Sequence, residues 1–225
     1  MAGITVAQML REGTPVIYGM QSTAADMRTG GIADGSPERA LCVAYGARLA
    51  KKYGIPCRGG GTENDAKSLS IQSGYESMMD ILVACQEKTN LIIHSAGILD
   101  SHGAMSYEKF IVDLEILGMV KRFLQGVNTD EESLAVSIIK SVGPGGEYLS
   151  NEHTMRHCRK EPYLPFVSMR GALPKGINPD QELLCIINKK KEEMLSQYCR
   201  PELPQKVCSR LKEYLASKEI GTAIL

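Results

Sequence analysis

The chain has 225 residues, of which 43% are hydrophobic, and it carries 26 basic and 26 acidic side chains. Such a chain can bury a substantial core, and its zero formal net charge excludes a general electrostatic attraction to nucleic acid or to anionic membranes. No apolar run approaches the roughly 20 residues of a membrane span, and the N-terminal segment lacks the charge order of a signal peptide. We therefore expect a cytoplasmic globular protein without nucleic-acid or membrane partners.

Strand and helix signals alternate in the first half of the chain. Short aliphatic runs predict strands, and serine caps or glycine-rich turns precede the helical patterns. Strands separated by helices imply an α/β fold with a parallel sheet and right-handed crossovers. The predicted strands are residues 14–19, 55–59 and 91–94, and the helices that follow them begin near Ser36, Gln72 and Ser106.

Each of these helices has apolar side chains at helical spacing, which predicts the face that packs on the sheet. Glu115 lies inside the third helix, and we interpret it as a structural residue. The predicted inner side chains are Leu41, Ala44, Tyr45 and Leu49 in the first helix, Tyr75, Met78, Met79, Leu82 and Cys85 in the second, and Phe110, Leu114, Leu117, Val120, Phe123 and Leu124 in the third.

The second half of the chain has no comparable strand pattern and is predicted to be helical. Thr129 and Glu132 form a capping box that opens a helix ending at Gly143, and Asn151 opens another. A proline-dotted linker, residues 161–179, precedes two further helices. These are predicted at about residues 180–198 and 204–217.

The predicted parallel sheet is too small to close on itself. A complete eight-stranded α/β barrel takes about 250 residues, whereas roughly 125 residues here supply three βα units and the rest are mostly helical. A three-stranded parallel sheet exposes an edge unless another segment pairs with it. We therefore expect a fragment of a longer protein.

Candidate metal ligands are scattered through the sequence. The seven cysteines include no C-x-x-C pair, so we expect reduced thiols rather than a disulfide framework or a structural zinc site. His153 and His157 share a helical face and are a possible metal pair, but they lack the glutamate of H-E-x-x-H and no third ligand is evident. We therefore predict no metal site.

Short motifs follow one another through about the first 160 residues. They are Pro15-Val-Ile-Tyr-Gly19 with Ser22 and Thr23, Gly35-Ser-Pro-Glu38, Gly60-Gly-Thr62, Asp65-Ala-Lys67, Gln72, Gly74-Tyr-Glu76, His94-Ser-Ala-Gly97, Ser106-Tyr-Glu-Lys-Phe110, Glu115-Ile-Leu-Gly118, Val142-Gly-Pro-Gly-Gly146 and His153-Thr154. In this order they resemble the trimethylamine methyltransferase family. An ordered run of this kind is far more specific than any single motif.

The resemblance implies a fold and a reaction. Members of this family are corrinoid-dependent methyltransferases with a (β/α)8 TIM-type barrel, roughly twice as long as this chain. The resemblance therefore implies a partial barrel of about three parallel βα units in residues 1–125, followed by a helical extension in residues 126–225 that packs on it. The full-length form is expected to be a homo-oligomer.

The implied reaction moves a methyl group from a methylated amine to the Co(I) of a separate corrinoid protein. The enzyme would bind no cofactor tightly and would act on the cobalamin-type cofactor of this partner. Trimethylamine-specific members contain pyrrolysine, which is absent from the printed sequence. Either the chain is a pyrrolysine-free member, which suggests glycine betaine or a related quaternary amine and is the interpretation we favour, or an amber codon interrupted the gene upstream of Met1.

Site residues are predicted where the strands end, because parallel strands place ligands at their C-terminal ends. His94 ends the third strand and is suited to orient a substrate carboxylate or donate a proton, although many such histidines are structural. Glu63 in the loop after Gly59-Gly-Gly61 is the second catalytic candidate, because a carboxylate there suits an ammonium group. The predicted substrate-binding residues are Tyr18, Gln21, Arg58, Asn64, Asp65, Gln72, Tyr75 and Glu76.

Each substrate-binding candidate has a structural alternative. Tyr18 offers an aromatic face to a quaternary ammonium by cation–π attraction, but ordinary packing explains it equally well. The acidic residues after the glycines are equally suited to helix capping. Two other functions stay open at this point: an inactive fragment with a structural or partner-binding role, and an unrelated barrel enzyme such as a lyase that uses His94 as a base.

Overall fold

Helices dominate the computed structural model, which describes residues 2–218. The helices of this part of the chain are α1 (Ala2–Leu10), α2 (Pro37–Lys52), α3 (Ile71–Gln86), α4 (Tyr107–Gln125), α5 (Glu131–Leu134), α6 (Val136–Val142), α7 (Glu152–His157), α8 (Pro179–Ser196) and α9 (Gln205–Ser217). The strands are β1 (Tyr18–Gly19), β2 (Ala24–Ala25), β3 (Ile32–Ala33), β4 (Cys57–Arg58), β5 (Ile98–Leu99) and β6 (Ala104–Met105). The predicted mixed α/β class is confirmed.

The three predicted parallel strands meet in chain order, but they are much shorter than expected. Strand β1 pairs in parallel with β4, with Tyr18 opposite Cys57. Arg58 of β4 then forms a parallel bridge with Leu91. The prediction of a regular strand over residues 91–94 is therefore wrong, because only Leu91 bridges and His94 adopts a left-handed conformation with a φ of 60°. Among residues 2–218 the strands form no closed barrel.

The helices begin where the serine caps predict. Ser36 accepts a hydrogen bond from the backbone N–H of Arg39, and Ser106 accepts one from that of Lys109. Helix α3 begins at Ile71, one residue before the predicted start, because Ser70 forms a capping box with Ser73. Local side-chain chemistry therefore fixes the start of all three helices.

The predicted inner face of α2 is largely wrong. Ala44 is buried as expected, but Leu41 is 54% and Tyr45 is 63% exposed. The buried face consists mainly of small residues, among them Ala47, and a Cβ on Gly46 would lie 2.7 Å from the Met20 side chain. Small residues are needed on this face because the helix lies close to the neighbouring loop and strands.

Helices α3 and α4 bury polar residues that their apolar spacing does not predict. The buried residues of α3 include Ser73, Glu76 and Asp80, and those of α4 include Lys109 and Asp113. Some predicted inner residues do contribute to the core. Val120 is buried with Ile81 and Ile116, and Met78, Leu82, Cys85 and Leu117 pack against them, whereas Tyr75, Phe110, Phe123 and Leu124 are exposed.

The second half is helical as predicted, with one difference. The helix predicted after residue 129 is split into α5 and α6 by Ala135, whose φ is 50°, and Asp130 rather than Thr129 is its cap. Asn151 caps α7 as expected. Glu115 accepts hydrogen bonds from the backbone N–H groups of Phe166 and Val167, and so fastens this segment to α4.

The chain divides into two compact units, the first of which ends at Lys191 and the second of which begins at Glu192. Within the first unit, Val167 and Ile187 share a buried cluster with Ile111 of α4. In the second unit, α9 buries none of its side chains. No helix within residues 2–218 is both long enough and apolar enough to cross a membrane.

Candidate functional site

The glycine turn after β4 lies against the segment that ends at His94. A Cβ on Gly61 would lie 2.5 Å from the carbonyl oxygen of Ile93 and 2.7 Å from that of His94, so only glycine allows this approach. Next to it, the backbone N–H of Thr62 donates to the carbonyl oxygen of His94 at 3.1 Å. The turn therefore brings Glu63, the next residue, to the histidine.

Glu63 is the centre of a buried cluster of charged and polar groups. Its side chain is fully buried, and its Oε2 atom forms an ion pair with Arg39 of α2. Its Oε1 atom lies 3.0 Å from His94 Nδ1 and 3.3 Å from His102 Nε2. A second buried acid, Asp34, lies 3.5 Å from Arg39 and 3.6 Å from His102. The two residues predicted as catalytic are therefore in direct contact.

The two histidines pack edge to face, with ring centroids 4.7 Å apart. Both have a left-handed backbone, with a φ of 60° at His94 and 72° at His102. Each side chain is about one third exposed, so the pair forms the open side of the buried cluster. Burial, together with the nearby His102 and Arg58 groups, lowers the pKa of His94, which favours the neutral imidazole at pH 7.

His102 reaches Glu63 because the loop between β5 and β6 packs on the loop after Glu63. The backbone N–H of Ser101 donates to the carbonyl oxygen of Asn64 at 2.9 Å, and that of Asp100 donates to Ala66 at 3.0 Å. The three residues Asp100, Ser101 and His102 all have positive φ. His102 is not predictable as a site residue from the sequence, because it follows no predicted strand.

Asn64, Asp65 and Glu76 were predicted to bind substrate, and their side chains form hydrogen bonds within the protein. Asn64 donates to the carbonyl oxygens of Thr62 and Ile98, at 3.1 and 2.7 Å. Asp65 accepts from the backbone N–H groups of Asp34 and Gly35 and from the Ser101 hydroxyl. Glu76 accepts from the backbone N–H of Asp65 and from the Gln72 amide, both at 2.8 Å. This arrangement holds the two site loops and α3 together.

A second group of buried polar residues, around Asp113 and Asp80, adjoins the loop that carries Glu63. Asp113 accepts hydrogen bonds from the Thr62 hydroxyl at 3.0 Å and from the Gly97 backbone at 2.7 Å, and forms an ion pair with Lys109. Asp80 of α3 is 1% exposed, and neither of its oxygens has a hydrogen-bond partner in the described structure. Burial raises the pKa of Asp80 to about 6, although the charge of Arg39 opposes this rise.

Arg58 and Gln21 form a separate polar pair at the ends of β4 and β1. With the Gln21 amide oriented to satisfy both groups, its carbonyl oxygen accepts from the two terminal guanidinium nitrogens of Arg58, at 3.0 and 2.9 Å. Arg58 is also one of the charged groups that lower the pKa of His94. A guanidinium and an imidazole are both groups that can bind a carboxylate.

The two tyrosines predicted to bind substrate, Tyr18 and Tyr75, have different surroundings from Glu63 and His94. Tyr18 packs against the buried cluster of Ala47, Ala50 and Cys57. Tyr75 is 60% exposed near the start of α3. Their assignment to substrate binding stays a prediction.

Comparisons with known proteins place the chain in a family. Residues 1–222 match the trimethylamine methyltransferase (MTTB) family. The chain is 41% identical to a glycine betaine methyltransferase of Desulfitobacterium hafniense (strain Y51), over 98% of this chain and 47% of the relative. It is 32% identical to a proline betaine:corrinoid methyltransferase of Eubacterium limosum, over 97% and 46% of the two chains.

A third relative is a trimethylamine methyltransferase, MttB1, of Methanosarcina acetivorans, which is 40% identical over 68% of this chain and 31% of its own length. The chain thus spans about half the length, or less, of the curated relatives that it matches. The family match covers almost the whole chain and agrees with the resemblance found in the sequence motifs. The chain belongs to the trimethylamine methyltransferase family.

Proposed function

We propose that this chain is part of an enzyme that transfers a methyl group from a quaternary amine to the Co(I) of a partner corrinoid protein. The names of the relatives support both halves of this reaction, because they include betaine methyltransferases and one corrinoid methyltransferase. The observation that carries the proposal is the contact between Glu63 and His94 where two consecutive parallel segments end, with Arg58 at the end of β4 beside them in the chain. Binding groups at such an edge face a common ligand.

The fold proposal is that the three parallel segments are the last three strands of a (β/α)8 barrel. The parallel order of β1, β4 and Leu91 supports it, because consecutive barrel strands are neighbours. Residues 1–125 would be the barrel part, and residues 126–225 would be the helical extension. The contacts of Val167 and Ile187 with α4 agree with an extension that packs on the barrel part.

Glycine betaine, or another betaine, fits the chain better than trimethylamine does. A betaine carries a carboxylate, which Arg58 and His94 are suited to bind, whereas trimethylamine carries none. This difference favours a betaine as the substrate.

Methyl transfer from a quaternary amine requires few catalytic groups from the protein. The methyl carbon–nitrogen bond breaks, its electron pair stays on nitrogen, and the methyl group forms a bond to cobalt. A quaternary nitrogen leaves as a neutral tertiary amine, so no proton donor is needed. The protein must bind the carboxylate and hold the methyl group in line with the incoming cobalt.

The test is a methyl-transfer assay followed by the visible spectrum of the corrinoid. The 225-residue chain is measured alone and joined to the N-terminal half of the glycine betaine relative, with glycine betaine, proline betaine and trimethylamine. We expect turnover of a betaine by the joined protein and none by the chain alone. Folding of the joined protein is checked by circular dichroism. A folded joined protein that turns over only trimethylamine would refute a betaine substrate.

Arg58→Gln in the joined protein tests the carboxylate site. Loss of a charge-assisted hydrogen bond costs about 1.5–3 kcal/mol, so kcat/KM for the betaine should fall by about 10-fold or more. The matched control is Arg48→Gln, which removes an exposed guanidinium that pairs with Glu87. Equal activity of both variants would remove Arg58 from the site.

A further inference from the structure

We propose that Glu63, His94 and His102 form a binding site for a divalent transition-metal ion such as Zn²⁺ or Co²⁺. The proposal goes beyond methyl transfer and does not depend on it. It concerns only the described structure of the first compact unit, in which three ligand atoms from three different segments converge.

The geometry of the ligand atoms is the first argument. Glu63 Oε1 lies 3.0 Å from His94 Nδ1 and 3.3 Å from His102 Nε2, and all three atoms lie within 4.8 Å of one another. A tetrahedral ion with bonds of 2.0–2.1 Å separates its ligand atoms by about 3.3 Å. The two distances from the carboxylate oxygen already have this size. The third distance, between the two imidazole nitrogens, is at most 4.8 Å, so an ion between all three atoms requires at most a small shift of the rings.

The identity of the ligands is the second argument. Two imidazoles and one carboxylate are the protein ligands of many zinc sites that keep a fourth position open for water or a substrate. Here the carboxylate is fully buried, whereas both imidazoles are about one third exposed. The fourth position would therefore lie on the exposed side of the cluster. Asp34 is 3.6 Å from His102 and is suited to a weaker contact with the ion or its water.

The surroundings hold the carboxylate in place for this role. Arg39 pairs with Oε2 of Glu63 and leaves Oε1 to the histidines, so the carboxylate would bind the ion through one oxygen. Fixed outer partners of this kind orient metal ligands in proteins. The formal charges of Asp34, Glu63 and Arg39 sum to one negative charge, which favours a cation between the imidazoles.

A second histidine pair provides a comparison inside the same chain. The rings of His153 and His157 stack with centroids 4.2 Å apart, and His157 Nε2 lies 3.3 Å from an oxygen of Glu132. However, His153 Nε2 already lies 2.8 Å from the backbone carbonyl oxygen of Glu132. Only Glu63, His94 and His102 supply three converging ligand atoms among residues 2–218. The second pair therefore serves as a control.

The test is a titration of the full 225-residue chain with ZnCl₂ by calorimetry, and with CoCl₂ by visible absorption. The test variants are His94→Asn and His102→Asn, because asparagine tolerates the left-handed backbone at both positions. The control replaces both His153 and His157 with alanine. Thermal melts without metal show that each variant is folded.

We expect one equivalent of Zn²⁺ and the visible bands of tetrahedral Co²⁺ in the wild type and in the control. Each test variant should weaken binding by more than the 10–100-fold typical of outer-shell changes. Three results would overturn the proposal: no binding by the folded wild type, unchanged binding in both test variants, or loss of binding in the control. A sulfur-to-cobalt charge-transfer band would also overturn it, because that band reports a cysteine ligand.

Discussion

Glu76 on α3 accepts a hydrogen bond at 2.8 Å from the backbone N–H of Asp65, and through it the helix holds the loops of the candidate site. Asp65 in turn accepts from the backbone N–H groups of Asp34 and Gly35. The other oxygen of Glu76 accepts from Gln72. Both oxygens of this carboxylate are therefore engaged, and its side chain cannot move freely.

Because the Glu76 side chain is held in place, a side chain larger than hydrogen at Gly35 should destabilise the fold. A Cβ at this position would overlap the Glu76 side chain. We expect Gly35→Ala to lower the free energy of unfolding by about 1–3 kcal/mol, because relief requires breaking the Glu76 hydrogen bonds. Urea unfolding followed by circular dichroism measures the change.

The control for this prediction is Gly74→Ala in the first turns of α3. A Cβ on Gly74 meets no atom within 4 Å, so the substitution should stabilise the chain by about 0.5–1 kcal/mol. If both glycine variants unfold at the same urea concentration, the Glu76 side chain is not restrained as the structure indicates.

The buried carboxyl group of Asp80 should make the free energy of unfolding depend on pH. Burial raises the pKa of its carboxyl to about 6 from an ordinary value near 3.8, so the folded state binds this proton more tightly than the unfolded state does. The associated stability is fully present below about pH 3.8 and is lost as the pH rises through 6. Asp80→Asn should therefore stabilise the chain by roughly 1–3 kcal/mol at pH 7.5, and much less at pH 4.5.

Chemical unfolding at these two pH values measures the effect. The control is Asp26→Asn on the surface, where a backbone hydrogen bond from Arg28 lowers the pKa of the carboxyl. Its contribution has the opposite sign, because stability from a lowered carboxyl pKa is lost as the pH falls. A gain from Asp80→Asn that is equal at both pH values would contradict the raised pKa.

The sequence predicts those features of the fold that depend on contacts between residues close in the chain, and it does not predict those that depend on distant residues. The cap at Ser36 and the helix start at Ser106 are predictable because each serine accepts a hydrogen bond from a backbone N–H only three residues away. The predicted inner faces of the helices are only partly right, because periodicity counts apolar residues and the buried faces are partly polar. Asp113, for example, is buried by its contact with Thr62, 51 residues away.

The same limit applies to the candidate site. Glu63 and His94 are predictable as site residues because both lie at the ends of predicted strands, where ligands usually bind. Arg39 and His102 were not found, because they come from a helix and from a tight loop that only tertiary packing brings to Glu63. Charged residues in an amphipathic helix are normally exposed, so nothing local marked Arg39 as buried.

The buried pair of Lys109 and Asp113 should be costly to break. Both side chains are fully buried, and Asp113 also accepts from Thr62 and Gly97. Lys109→Met leaves the carboxylate buried without its cation, so we expect a loss of about 3–5 kcal/mol in unfolding free energy. Adding Asp113→Asn should recover about 1–3 kcal/mol of that loss, because the uncompensated charge is removed.

Urea unfolding of the two variants at pH 7 measures both values. The comparison is Lys67→Met, which breaks the pair of Lys67 with Asp100 on the surface, where Lys67 is 75% exposed. This change should cost far less than the loss of the buried lysine, because water and salt screen a surface pair. Similar losses for the buried and the exposed lysine would show that Lys109 is not buried as described.

Substitutions just beyond the ends of α2 and α3 should have opposite effects on stability, because both positions have a left-handed backbone. Beyond the last turn of α2 the left-handed residue is Gly54, with a φ of 66°, whereas beyond α3 it is Lys88, with a φ of 51°. A non-glycine residue is strained in this conformation, and glycine is the usual residue at such helix ends. Lys88→Gly should therefore stabilise the chain by about 0.5–1 kcal/mol, and Gly54→Ala should destabilise it by about 1 kcal/mol.

The two changes are measured by urea unfolding on the same day and buffer, with the wild type beside them. A Cβ on Gly54 meets no atom within 4 Å, so a loss in Gly54→Ala can only come from the backbone conformation. Lys88 is exposed, and its backbone N–H donates to the carbonyl oxygen of Cys85 at 3.0 Å, a bond that glycine keeps. A destabilised Lys88→Gly would mean that the lysine side chain contributes more than the strain of its backbone costs.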